Sequence, residues 1–144
     1  MISKTEIENF NKKFDTVSVF IECDGEILLL HRQDYKPQGN TWSLVAGKVN
    51  QNENLQDALI REVEEETGIR INQKDCNYFG KYYVRFPEYD FVYNVFHLSV
   101  EEKPKIKLKL EENKNYQWIK PQDALKLNLI QHEDYNIKCF YSIK

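Results

Sequence analysis

Residues 47–69 constrain the fold of this chain more than any other stretch. They read G-K-V-N-Q-N-E-N-L-Q-D-A-L-I-R-E-V-E-E-E-T-G-I. From about residue 55 to residue 67 there is no glycine or proline, and alanine, leucine, glutamate and arginine dominate, so the pattern predicts a helix. Apolar residues recur with the two-residue period of strands on both sides of this helix, which predicts an α/β fold with a mixed sheet.

Three carboxylates share one face of the predicted helix. Glu62, Glu65 and Glu66 stand at positions i, i+3 and i+4, where like charges repel and destabilise a bare helix by a few tenths of a kcal/mol per pair. On a helical wheel, Glu62 and Glu66 continue the inward-facing apolar stripe. That stripe consists of Leu55, Ala58, Leu59 and Val63. Ionised groups that face the protein without partners are costly, so a bound cation is predicted.

The segment before the helix provides further oxygen donors. Residues 41–46 predict a strand, and Gly47 is expected to begin a turn that allows a positive φ or a close backbone approach. The carbonyl oxygen of Ala46 or Gly47 is then a candidate ligand beside the carboxylates. Hard ions such as Mg²⁺ prefer these donors, and no cysteine and histidine pattern suits zinc.

Two further residues of the stretch have predicted structural roles. Arg61 adjoins Glu62 and is expected to orient a carboxylate, Glu53 being the candidate, through a charge-assisted hydrogen bond. Gly68 is expected to cap the end of the helix, with Ile69 folding back onto it.

The spacing G-x5-E-x7-R-E-U-x-E-E-x-G-U, where U is aliphatic, resembles the signature box of the Nudix hydrolases, and every fixed position is present. The resemblance implies a Nudix-type α/β/α sandwich with a mixed β-sheet, as a single domain over residues 1–144. It implies that Glu62, Glu65 and Glu66 bind metal and that Glu53 supports or joins them. Where many relatives have Pro-Gly-Gly before the lysine, residues 44–46 are Leu-Val-Ala, which weakens any transfer of base specificity.

The general base is left open between the box acids and a glutamate outside the box. Glu112, six residues before Trp118 much as in MutT-type members, is the outside candidate, and its neighbour Glu111 is equally plausible. A solvated acid at the end of a strand is the alternative for either residue.

The same resemblance implies Mg²⁺-dependent hydrolysis of a pyrophosphate bond in a nucleoside diphosphate derivative, with Mn²⁺ as a possible substitute. A nucleoside triphosphate giving a monophosphate and pyrophosphate is the leading expectation. ADP-ribose, a nucleotide sugar or a dinucleoside polyphosphate is the alternative within enzymes. A non-catalytic nucleotide-sensing module is the alternative of another class, although the full set of acids argues against it.

Substrate contacts lie outside the box. Arg32 and Lys48 are candidates for phosphate or base contacts, against the alternatives of a surface salt bridge and a solvated lysine. Trp42, Tyr35 and Tyr83 are candidates for base stacking, which contributes about 1–3 kcal/mol per base. Aromatic residues also favour strands, so many rings in residues 78–96 are expected to be core or a dimer contact.

Composition narrows the partners. The net charge is −3, from 20 basic and 23 acidic residues, so long nucleic acid is an unlikely partner and a small nucleotide is expected. The three cysteines form no disulfide framework, and no run is long and apolar enough to cross a membrane. A cytoplasmic monomer or homodimer is expected.

The remaining elements follow from periodicity and turn residues. A short helix is predicted at residues 2–13, with Ile7 and Phe10 facing inward, and Asp24-Gly25 predicts a two-residue hairpin turn. The predicted strands are residues 16–23, 26–32, 76–86, 91–101, 105–110 and 116–119. A loop is predicted at residues 33–40, and a second helix at residues 121–127.

Overall fold

The computed structural model describes residues 1–144 and contains eight strands and three helices. The strands are β1 (Ile2–Ser3), β2 (Lys12–Cys23), β3 (Glu26–Arg32), β4 (Trp42–Ser43), β5 (Val45–Lys48), β6 (Asn77–Arg85), β7 (Asp90–Ser99) and β8 (Asn113–Ile119). The helices are α1 (Leu55–Thr67), α2 (Pro121–Ala124) and α3 (Glu133–Tyr141), with a 3₁₀ turn at Gln73–Asp75.

All eight strands join one mixed sheet in the order β1-β6-β7-β2-β3-β4, with β5 also paired to β2 and β8 to β3. The central pair, β2 and β7, is parallel and runs from Lys12 opposite Asp90 to Glu22 opposite Ser99. The other pairings are antiparallel. The predicted mixed α/β architecture is confirmed.

Each face of the sheet carries its own apolar core. Alternate residues of β2 point to opposite faces, so Val19 packs in the core with α1 while Phe20 packs in the core with α3. Buried α1 residues fill the first core, namely Ala58, Leu59 and Val63. Full burial of such a side chain contributes about 1.5–3 kcal/mol. Helices on both faces make the three layers that were predicted.

Helix α1 has the predicted limits and a defined cap at each end. The side chain of Asn54 accepts a hydrogen bond from the Asp57 N–H at 2.8 Å, which satisfies a donor of the first turn. Gly68 has φ 75°, and its N–H donates to the Glu64 carbonyl. Ile69 is buried against the helix. The predicted C-terminal cap is therefore confirmed.

The predicted hairpin is also present. Asp24 and Gly25 have φ values of 52° and 77°, the two left-handed residues that a type I′ turn requires. The turn joins β2 to β3, and β3 has the predicted limits. The predicted antiparallel pair of aromatic-rich strands is β6 with β7.

The predicted N-terminal helix is wrong. Residues 2 and 3 instead pair with β6, with Ile2 opposite Val84. The Arg85 guanidinium binds the Glu8 and Asn9 carbonyl oxygens at 3.2 and 3.1 Å. A short polar segment forms few hydrogen bonds as an isolated helix, so the free edge of β6 and the arginine offer its backbone better partners.

The predicted strand at residues 105–110 is wrong as well. Ile106 and Leu108 pack against the core beneath α1, as the alternation suggested. The Lys107 N–H, however, donates to the Thr67 carbonyl at the end of α1 and not to a neighbouring strand. The segment therefore bonds to the end of α1 and is not a strand of the sheet.

Three smaller differences concern the ends of elements. The strand predicted at residues 41–46 is divided: β4 ends at Ser43, β5 begins at Val45, and the Leu44 N–H between them donates to the buried Glu133 carboxyl. Helix α2 ends at Ala124, and the chain to Leu127 continues as turns. Helix α3 was not predicted. None of the helices is long and apolar enough to cross a membrane.

Candidate active site

A cleft of about 280 Å³ lies over β2, β5 and β7, and Glu66 is the only α1 residue that lines it. Its polar lining includes Arg32, Ala46, Gly47, Lys48, Glu66 and Asn113. Its aromatic wall contains Phe14, Phe86, Tyr89, Phe91 and Tyr93. The cleft therefore joins an acidic helix to a pocket of the size and character that holds a flat ring.

Glu66 is the most buried of the box acids. Burial raises its pKa to about 8, and the negative charges of Glu62 and Glu112 act in the same direction. A backbone hydrogen bond with Ala46 and the nearby Arg32 oppose the rise. A carboxyl in this state lacks enough positive charge around it, so the site favours a cation over an empty cavity.

Glu62 packs directly against Gly47. Burial raises the pKa of the Glu62 carboxyl, although the Arg61 guanidinium opposes the rise. A Cβ added at Gly47 would lie 2.1 Å from the Glu62 Cδ, which no real structure permits. Gly47 lies within β5 and has no positive φ, so the predicted turn at this position is wrong. The glycine is required for space.

Arg61 ties the preceding segment to the helix acids. Its Nε and Nη2 donate to the two Glu53 carboxylate oxygens, each at 2.9 Å. Its Nη1 donates to Glu62 Oε1 at 2.8 Å, and Nη2 also reaches the Lys48 carbonyl at 3.0 Å. The arginine and the Asn50 N–H lower the pKa of Glu53 to about 2. The predicted contact between Arg61 and Glu53 is present.

The predicted convergence of three helix acids is present only in part. Glu65 stands at the rim, with 47% of its side chain exposed and a long contact of 3.4 Å to Arg61. Glu64 is exposed, and its carboxylate lies 3.6 Å from the Arg70 Nε. No group of three or more acidic, cysteine or histidine side chains is preassembled as a metal site, since Arg61 holds the carboxylates of Glu62 and Glu65.

The donor set nevertheless fits a hard divalent ion. Glu62 and Glu66 are inward-facing carboxylates whose pKa values are raised by burial. Ala46 and Gly47 line the same cleft as Glu66. These are oxygen donors of the kind that Mg²⁺ and Mn²⁺ accept.

Glu112 lies on the turn before β8, near enough to Glu66 to raise its pKa. The Lys36 ammonium contacts both Glu112 carboxylate oxygens, at 3.2 and 3.1 Å. Glu111 is exposed, and its carbonyl accepts a hydrogen bond from Tyr35. Of the two candidates outside the box, Glu112 is therefore the one whose charge acts on Glu66.

Both predicted cationic contacts line the cleft. Arg32 makes no salt bridge, and its Nε donates to the Pro37 carbonyl at 2.6 Å. The Lys48 Nζ lies 4.4 Å from the centre of the Phe14 ring at the cleft wall. Neither cation is neutralised by a carboxylate, so both are available to an anionic ligand.

The three predicted stacking residues do not line the cleft. Trp42 stacks on His31 with ring centres 4.2 Å apart. Tyr35 is exposed at the surface, and Tyr83 packs edge-on against Phe10. Other rings of the aromatic-rich segment form the cleft wall.

A buried polar group at the cleft was not foreseen. Glu133 is only 2% exposed. Its carboxyl accepts hydrogen bonds from the Leu44 N–H at 2.9 Å, the Tyr93 hydroxyl at 2.9 Å and the Asn136 amide at 3.0 Å. Burial raises its pKa despite these donors. No element was predicted after residue 127, so the sequence carried no signal for the position of Glu133.

The NUDIX domain family model matches residues 12–139. The chain belongs to the NUDIX family. The predicted family and enzyme class are thereby confirmed, and Nudix proteins are pyrophosphohydrolases that generally use divalent metal ions.

Named relatives agree with this assignment. The chain is 27% identical to the CTP pyrophosphohydrolase of Escherichia coli (strain K12) over 135 residues, or 92% of this chain and 95% of the relative. It is 38% identical over 78 residues to the NAD-capped RNA hydrolase NudC of Haemophilus influenzae (strain PittEE), which covers 54% of this chain but 29% of that protein.

Solved Nudix structures share the fold. The MutT protein from Methanosarcina mazei Go1 superposes with a TM-score of 0.76 at 25% identity, covering 95% of this chain and 96% of that one. The E. coli ORF135 protein gives a TM-score of 0.76 at 24% identity, with 96% and 95% coverage. The predicted sandwich is therefore the Nudix fold.

Proposed function

We propose that this Nudix protein hydrolyses a nucleoside triphosphate to the monophosphate and pyrophosphate, with Mg²⁺ as its ion and Mn²⁺ as a working substitute. One observation carries the proposal. A single cleft is lined by Glu66 and Gly47 of the Nudix box, by five aromatic rings and by the buried Glu133 carboxyl. A nucleotide joins a phosphate chain, which suits the polar residues, to a base, which suits the rings.

The polar lining of the cleft suits a phosphate chain only after the charges of its acids are neutralised. Glu62, Glu65 and Glu66 are the proposed metal ligands, with the Ala46 or Gly47 carbonyl as a neutral donor. A bound divalent ion offsets the phosphate charge and activates water for attack on phosphorus. Glu65 reaches this set from the rim by a change of side-chain rotamer.

The chain itself holds and orients the reacting groups. Arg61 fixes Glu53 and Glu62 through charge-assisted hydrogen bonds. Glu112 is the proposed acceptor of the water proton, because it is the acid outside the box whose charge acts on Glu66. Arg32 and Lys48 supply the two unpaired cations that hold the phosphate oxygens.

The aromatic wall, together with Glu133, suits a base with an amino group. Rings such as Phe86 and Tyr93 offer faces for stacking, which contributes about 1–3 kcal/mol per base. The Glu133 carboxyl has accepted three hydrogen bonds and retains one acceptor position. A carboxylate there accepts from the N4 amino group of cytosine. Similarity to a CTP pyrophosphohydrolase supports CTP as the first substrate to test.

The test is a hydrolysis panel of CTP, UTP, ADP-ribose, NAD and a dinucleoside polyphosphate with Mg²⁺. We expect CMP and free pyrophosphate from CTP without added pyrophosphatase, and slower hydrolysis of UTP, which lacks the N4 amino group. Glu66→Gln should lower kcat at least about 100-fold, whereas the exposed Glu64→Gln should retain activity.

Other results would redirect or refute the proposal. Faster cleavage of ADP-ribose, NAD or the dinucleotide than of any triphosphate would replace the substrate class. Tight binding of CTP with Mg²⁺ but no turnover of any compound would favour a nucleotide sensor. Full activity in Glu66→Gln would refute the catalytic site.

A further inference from the structure

The chain just after β3 clamps the turn that carries Glu112. The Gln33 side chain donates to the Leu110 carbonyl at 2.8 Å, and the Tyr35 hydroxyl donates to the Glu111 carbonyl at 2.6 Å. The Gln33 N–H donates to the Glu112 carbonyl at 3.0 Å. Three consecutive carbonyl groups of one turn are thus held by two residues of one loop.

The same loop also holds the Glu112 side chain. The Lys36 ammonium lies within 3.2 Å of both carboxylate oxygens. Both side chains are less than one-third exposed, at 27% and 29%. A partly exposed ion pair of this kind contributes little to stability. Its clearer effect is on orientation, because a free glutamate side chain samples several rotamers.

The orientation of the Glu112 carboxylate matters because of its relation to Glu66. Asn113, the residue after Glu112, lines the same cleft as Glu66, and the negative charge of Glu112 helps to raise the pKa of Glu66. Tyr35 is 70% exposed, so burial does not explain its hydrogen bond to the turn. These contacts hold a carboxylate next to a residue of the cleft without using any box residue.

We propose that Lys36 and Tyr35 are positioning residues, which hold Glu112 beside Glu66 for the hydrolysis proposed above. They touch neither phosphate nor reacting water. Lys36 fixes the carboxylate, and Tyr35 fixes the backbone that carries it. This inference depends on the proposed function for its kinetic effect, but the clamp itself is a property of the free protein.

The kinetic test compares Lys36→Met with Lys36→Arg. Loss of a positioning contact should lower kcat about 10–100-fold with little change in KM, and arginine should restore most of the rate. Lys114→Met is the matched control, because Lys114 contacts Asp34 and Asn40 in the same loop but not Glu112. It should keep wild-type kcat.

Two further measurements separate positioning from a general loss of structure. In a Glu112→Gln background, Lys36→Met should cause no additional loss of kcat. In the metal-free protein, Tyr35→Phe should speed hydrogen exchange of the Glu112 and Asn113 amides about five-fold, the factor for one hydrogen bond of ~1 kcal/mol. Both amides donate to the Lys109 carbonyl within the turn.

The outcomes are distinguishable. If wild-type protein hydrolyses its substrate and both Lys36 variants match it, the positioning role is refuted while the proposed function stands. Equal loss of kcat by Lys36→Met with and without Glu112 also refutes it. If the protein hydrolyses nothing but the exchange rates change as expected, the clamp is supported and the proposed function fails.

Discussion

The burial of Glu66 predicts that the metal-free protein becomes less stable as pH rises. Its pKa is raised from 4.5 to about 8, mainly by burial. The folded state therefore holds a proton between these two pH values, whereas the unfolded chain releases it. Since the folded state binds more protons, stability falls across this window, by up to about 1.4 kcal/mol per pH unit.

The magnitude follows from the size of the shift. A rise from 4.5 to about 8 corresponds to at most ~5 kcal/mol at high pH. The penalty is absent below pH 4.5 and complete above pH 8. Glu66→Gln keeps the shape of the side chain and removes its charge, so this variant should be more stable than wild type at pH 8. The difference should vanish near pH 4.5.

The assay is urea unfolding of both proteins in a chelator, at intervals from pH 4.5 to pH 8.5. Buried acids common to both proteins, such as Glu133, cancel in the difference. Glu64→Gln, at an exposed position on the other side of α1, is the control and should follow wild type. Mg²⁺ at about 100 times its Kd should stabilise wild type by ~2.7 kcal/mol and Glu66→Gln much less. Parallel pH profiles for wild type and Glu66→Gln would refute the argument.

Two other substitutions test the packing around the site. Gly47→Ala should displace the Glu62 carboxyl, because the new Cβ would fall 2.1 Å from its Cδ; we expect at least about a tenfold loss of kcat, as for other disturbed supports of a metal site, with a normal circular dichroism spectrum. Unchanged kcat would show that Glu62 can move freely. Leu59→Ala removes a side chain that is 1% exposed in the α1 core and should cost about 2–5 kcal/mol in urea unfolding; a smaller loss would mean that the core refills the space.

The sequence predicted best those features whose causes are local. Helix α1, its C-terminal cap and the Asp24-Gly25 turn depend on residues within a few positions of one another, and all were placed correctly. The contact between Arg61 and Glu53 was also predictable, because eight residues of spacing bridge only a short loop and the first turns of one helix.

The features that were missed depend on distant partners. Ile2 pairs with Val84, and no periodicity near Ile2 signals that edge. Helix α3 has aromatic and β-branched residues of modest helix propensity, and it is stabilised by packing Ile137 into the core on its face of the sheet. Its position in turn brings Glu133 to the cleft.

The choice of cleft aromatics depends on strand register. Tyr82 lies opposite Tyr93, and Tyr83 lies opposite Val92. A shift of one residue sends a ring to the other face of the sheet. This sequence has aromatic residues at both odd and even positions of these strands. It therefore predicts that rings are present on the sheet but not which of them contact the ligand.

The parallel pairing of β2 with β7 also has a consequence for folding. Val19 lies opposite Phe96, 77 positions later in the chain. Contacts of such long sequence separation form slowly, because a large loop must close before they are gained. The β2–β3 hairpin and α1 can form early from local contacts. The nucleotide-sized cleft, whose walls include residues of β7 and α3, comes into existence only after the chain has closed this loop.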